Sequence, residues 1–188
     1  MLVSRSTEES HLYMHLHPCE CGETDFEWRD HQLVQGDDCL LSIYSGECQR
    51  CGRPRRFEFA LAPEPSPPPP ALGGTAPSQI IDPGEFWHAS RQFAGTVPAD
   101  PGAVSDDEFH GAYDALAFAL ASLDEVLKFI PDGADAVPAG AFRSQLGQRL
   151  HAEAPERFTR SWLAADREAH RRLLARYRQA AELETPAR

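Results

Sequence analysis

The chain has 188 residues, 41% of them hydrophobic and 25% charged, with 16 prolines; this is globular composition, enough for one ordinary domain or a small module plus a modest second one. The formal net charge of −11 argues against general nucleic-acid binding, which draws much of its affinity from Lys and Arg neutralising phosphates. It suits solubility or a basic protein partner instead. No run of about 18 apolar residues is present to span a membrane, and Met1 to His17 lacks the apolar core of an export signal, so the expected compartment is a reducing cytoplasm. In that setting closely spaced cysteines are metal ligands more often than disulfides.

Residues 1–17 read as a polar leader without structure of its own, and His11, His15 and His17 as part of a disordered tail. Residues 18–62 hold all five cysteines and read as strands. The first pair lies in His17-Pro18-Cys19-Glu20-Cys21-Gly22 and the second in Gly46-Glu47-Cys48-Gln49-Arg50-Cys51-Gly52. Between them, Thr24 to Val34 and Cys39 to Ser45 alternate in strand fashion about the turn-like Gln35-Gly36-Asp37-Asp38, and Arg56 to Leu61 is a third strand. A short Cys-to-Cys spacing followed by Gly forms a tight turn that aims two sulfurs at one point, because Gly takes a positive φ that other residues resist. Two such turns joined by a hairpin complete a tetrahedral thiolate shell, and a segment this small needs the folding energy a metal supplies.

Knuckle, hairpin, second knuckle and final strand together resemble the zinc-ribbon class of modules, over residues 17–62 only. The resemblance implies a structural zinc ion held by Cys19, Cys21, Cys48 and Cys51. Cys48 and Cys51 have the usual two-residue spacing, whereas Cys19 and Cys21 have one residue between them, which leaves His17 as the substitute ligand for Cys19. Cys39 alternates with Leu41 and Ile43 and reads as a small buried strand residue; a further ligand or a reactive thiol are its alternatives. Four thiolates leave no open coordination position, and no His-Glu-x-x-His or deaminase-type pattern accompanies them, so a structural site is expected over a catalytic one.

Residues 63–80, rich in Pro and Gly, read as a linker, with Pro67 to Pro70 extended and Gly73-Gly74 looser. From residue 81 to 185 the pattern is helical. Asp82-Pro83-Gly84-Glu85 and Ser105-Asp106-Asp107-Glu108 are two capping boxes. Each is followed by apolar residues at helical spacing, Phe86 to Val97 in the first case and Phe109 to Ile130 in the second. A third helix is expected over Ala139 to Ala152, burying Phe142, Leu146 and Leu150. The fourth is expected from Thr159 to Glu184, with Trp162, Leu163, Leu173, Leu174 and Tyr177 inward. Its Arg167, Arg171, Arg172, Arg176 and Arg178 stand within reach of Asp166, Glu168, Glu182 and Glu184 for helical ion pairs.

The expected fold is therefore α+β, a small β zinc ribbon followed by a Pro-rich linker and a helical bundle. With no catalytic constellation in the sequence, the expected role is that of a zinc-binding protein acting through protein–protein contacts, its partner another protein of basic character and neither nucleic acid nor membrane. The alternative is a nucleic-acid-associated regulator using the arginines between Arg50 and Arg56. Against it, Glu20, Glu23, Asp25, Glu27, Glu47 and Glu58 share the same small surface.

Overall fold

In the computed structural model, which describes residues 1–184, the chain divides into two compact units, residues 1–81 and the residues from 82 onward. The expected end of the helical region at residue 185 lies outside the described residues. The fold is mixed α and β, with a four-stranded sheet in the first unit. Among the described residues no helix is long and apolar enough to cross a membrane.

The leader is not an unstructured tail, as expected above. It forms strand β1 (Leu2–Ser4) and helix α1 (Thr7–Leu16). The Ser6 hydroxyl caps α1 by accepting the Glu9 N–H at 2.9 Å, and Arg5 meets the fully buried Glu9 carboxylate at 2.7 Å. A buried charge is tolerated only when paired in this way. Beyond it come β2 (Trp28–Gln35), β3 (Leu40–Glu47) and β4 (Pro54–Leu61). The sheet order is β1-β4-β3-β2, with β2–β3 and β3–β4 antiparallel and β1 parallel to β4. Met14 of α1 packs with Tyr44 and Phe59 on one face of the sheet, and Tyr13, Phe26 and Phe57 extend that cluster.

Residues 63–81 contain no helix or strand, yet they are not a free spacer. The Ser6 hydroxyl donates to the Leu72 carbonyl at 2.8 Å, Arg5 donates to the Ala76 carbonyl, and Leu72 and Ser78 are buried. The proline-rich segment thus lies down along the first unit, fastened chiefly by the residues just before α1.

The second unit contains α2 (Pro83–Gly95), α3 (Asp106–Lys128), α4 (Gln145–Glu153) and α5 (Arg160–Glu184). One Asp82 oxygen accepts the N–H groups of Gly84 and Glu85 at 2.9 and 3.0 Å, and Glu85 reaches back to the Asp82 N–H at 2.9 Å. The second Asp82 oxygen accepts from Arg143 and Ser144 at 2.9 and 2.7 Å, so a single buried carboxylate joins the start of α2 to the approach of α4. The third helix begins later than expected, because Ala139–Ala141 forms a 3-10 turn and Ser144 then caps α4 through the Gly147 N–H. Phe109, Leu116, Leu174 and Tyr177 form a core cluster between α3 and α5.

The ion pairs expected along the last helix are divided between the helix and its neighbours. Arg172 pairs with Glu168 within α5 at 3.6 Å, but Arg167 turns to Asp124 of α3 and Arg178 donates to the Tyr113 hydroxyl at 2.9 Å. The side chains of Glu182 and Glu184 lie outside the described residues.

Candidate metal centre

Four cysteines from two turns meet at one end of the sheet. Cys19 and Cys21 lie on the segment between α1 and β2, and Cys48 and Cys51 on the turn between β3 and β4. The two turns share one hydrogen-bonded frame. In the second, the Gly52 N–H donates to the Cys48 carbonyl at 2.9 Å and the Cys48 N–H to the Arg53 carbonyl at 2.9 Å. In the first, the Gly22 N–H donates to the Cys19 carbonyl at 2.7 Å and the Cys19 N–H to the Glu23 carbonyl at 2.8 Å. Each frame runs from the first cysteine to its glycine and to the residue after that glycine. The first is the second shortened by one residue. Gly22 and Gly52 both have positive φ, +87° and +66°, as the reversal requires.

This shared frame carries the sulfurs to one point. Cys19 Sγ lies 3.7 Å from Cys51 Sγ, Cys21 Sγ lies 3.6 Å from Cys48 Sγ, and all four fall within 4.8 Å of one another. A zinc ion about 2.3 Å from each of four sulfurs sets the edges of its tetrahedron at about 3.8 Å. The sulfurs are far beyond the bonding distance of about 2.05 Å, and all five cysteines are free thiols. The donor set and its spacing therefore fit a tetrahedral ion of zinc size and softness.

The electrostatics of Cys48 and Cys51 bear on the same question. Burial opposes ionisation of Cys48, but the backbone N–H groups of Cys51 and Arg50, with help from Cys21, bring its pKa down to about 6. Cys51 is pushed up to about 11: the Arg53 N–H favours its thiolate, but hydrogen bonding among the sulfurs of Cys21, Cys48 and Cys19 and loss of hydration outweigh it. Without a cation, Cys51 keeps its proton where Cys48 gives its own up, and a bound divalent ion would favour the thiolate of both.

Two residues weighed for the site stand outside it. His17 is absent from the cluster; its Nδ1–H donates to the Tyr13 carbonyl at 2.8 Å and its ring stacks on Tyr13 at 3.8 Å. Cys39 is not in a strand, as expected, but in the turn before β3, half-buried, with its carbonyl accepting the Gly36 N–H at 2.8 Å. That turn joins β2 to β3, whereas the cysteine cluster is reached through the opposite ends of the same two strands.

The arginines considered for nucleic acid are engaged within the module. Arg50 donates to the Cys21 carbonyl at 3.3 Å and Arg53 pairs with Glu20, so both tie one turn to the other. Arg55 donates to the His17 carbonyl and lies 4.9 Å from the ring centres of both Phe26 and Phe57, while Arg56 meets Glu58 at 2.8 Å. Sequence reasoning did not identify the roles of Arg50, Arg53 and Arg55, because their partners are two backbone carbonyls and one acid 29, 38 and 33 residues away.

Comparison with protein-family models, with curated proteins and with solved structures gave no match. What can be said of the site rests on its own geometry, a four-thiol cluster able to hold a metal ion.

Proposed function

We propose that Cys19, Cys21, Cys48 and Cys51 bind one structural zinc ion in a ribbon-like module, and that the protein is a non-enzymatic adaptor whose two units present surfaces to a protein partner. The observation that carries this reading is the convergence of four sulfurs within 4.8 Å of one another, two of the separations being 3.6 and 3.7 Å. Four protein ligands fill the shell of zinc and leave no position for a substrate or an activated water. What the ion supplies there is folding energy, drawing together two turns that the small sheet could not hold alone.

A protein partner is favoured over nucleic acid because Arg50, Arg53, Arg55 and Arg56 are turned to carbonyls, acids and rings of their own module. Free thiols as ligands suit a reducing compartment, in keeping with a cytoplasmic protein.

Metal analysis of the purified full chain tests the first half of the reading. It predicts one zinc per chain and loss of zinc in Cys48→Ser with Cys51→Ser; a metal-free protein that still folds would end the proposal. Cross-linking in the native cell tests the second half, with a recurrent protein partner expected.

A further inference from the structure

Beside the cysteine cluster, helix α1 and the segment Thr24–Trp28 enclose a groove of about 570 Å³. Its size falls within the range of about 300–1,000 Å³ typical of ligand sites. The walls are mixed: Trp28, 39% exposed, stacks on His11 at 4.7 Å, Phe26 lies 6.5 Å from Trp28, and Met14, His15 and Thr24 also line the groove. The rim is anionic. Asp25 and Glu27 are exposed, and neither forms an ion pair among the described residues; Glu27 accepts only the side-chain amide of Gln49, at 3.0 Å. Burial lowers the pKa of His11 on the same groove, with Glu8 opposing that effect and His31 adding to it.

A part-exposed indole beside two carboxylates with no ion pair among the described residues is an environment that attracts a cationic side chain. The ring quadrupole draws the positive charge and the acids neutralise it. Arg55 lies against Phe26 and Phe57 with a carbonyl partner, and Arg29 pairs with Glu47 at 3.4 Å, so both have partners of their own.

We infer that this groove takes an arginine or lysine side chain from an extended basic segment of a protein partner. The inference deepens the interaction reading above, on which it rests, by naming the surface and the chemistry of the partner. One wall of the groove also depends on the cysteine cluster. Thr24–Glu27 is held at its start by the turn through Cys19 and Cys21 and at its end by the pairing of Trp28 with Gly46. The groove therefore keeps its form only while the first turn keeps its own.

The experiment titrates the zinc-loaded full chain with a synthetic peptide of four Gly-Arg repeats, and separately with the same peptide carrying neutral citrulline for arginine. Backbone and indole NMR resonances report where binding occurs. The arginine peptide is expected to move the signals of Trp28, Phe26 and His11 saturably, and citrulline to leave them in place. Trp28→Ala should weaken binding about two- to fivefold, and Asp25→Asn with Glu27→Gln should abolish most of it while zinc content stays at one per chain. Shifts scattered over acidic residues throughout the chain, equal shifts with citrulline, or undiminished binding by the Asp25/Glu27 variant would each overturn the assignment. Those failures leave zinc stoichiometry untouched, whereas failure of the metal reading appears first as a chain without zinc.

Discussion

Replacing Gly52 by alanine isolates the conformational demand of the second turn. A Cβ at Gly52 would find no atom within 4 Å, so the substitution introduces no clash. What it introduces is a left-handed backbone at an L-residue, since φ is +66° there, at a cost of about 1–2 kcal/mol. If the module folds around its metal, that cost is paid out of metal affinity. At about 1.4 kcal/mol per factor of ten, the zinc dissociation constant of Gly52→Ala should rise about five- to thirtyfold. Gly22→Ala should lose more, because φ of +87° lies further from the left-handed minimum near about +57°. Gly52→Asn should lose less, since asparagine visits that region more readily. Competition against a chromophoric zinc chelator at fixed pH measures all three. An alanine variant within twofold of the parent, or an asparagine variant as weak as the alanine one, would refute the claim that these turns present the sulfurs through a left-handed glycine.

Three further outcomes can be checked on the same protein. Zinc uptake by the metal-free chain at neutral pH should release protons, because Cys51 holds its proton up to about 11, and affinity should fall further below about pH 6, where Cys48 is protonated too; a pH-indicator dye that records no release would exclude thiols as the ligands. Asp82→Ala removes the acceptor of four backbone N–H groups and should destabilise the second unit by about 3 kcal/mol or more, read by denaturant unfolding, while leaving zinc content unchanged. Cys39→Ser should retain full zinc stoichiometry and shift stability by about 0.5 kcal/mol at most; a loss of metal would place Cys39 in the shell.

The helices of the second unit were legible where local signals agree. Asp82-x-x-Glu85 and Ser105-x-x-Glu108 announce α2 and α3, and the recurrence from Phe109 to Ile130 carries the latter nearly to its observed end at Lys128. Helix α1 escaped because its buried face includes Glu9 and Ser10, which erase the apolar period, although Ser6-x-x-Glu9 repeats the pattern that marked Ser105. Of the site, the pair Cys48 and Cys51 was plain from spacing. Cys19 was ambiguous because what compensates for the missing residue is a backbone frame, from Gly22 to Cys19 and from Cys19 to Glu23, which no residue type encodes. The groove was illegible for a different reason: it joins residues of α1 to Thr24–Trp28, and α1 itself was not foreseen.

The placement of charge ties these features together. Composition alone suggests an acidic chain with a basic knuckle, suited to a basic protein partner but silent on where that partner would dock. In the fold, Arg50 and Arg53 bridge the two cysteine turns and Arg55 is occupied by a carbonyl and two rings, so these cations serve the architecture of the cysteine cluster. Asp25 and Glu27, close in sequence to the same turns, are exposed and form no ion pair among the described residues. The negative field at the groove and the cohesion of the cysteine turns are thus two results of one arrangement. Linkage makes any coupling between them reciprocal: if zinc strengthens the binding of a basic ligand in the groove, that ligand strengthens zinc binding by the same factor.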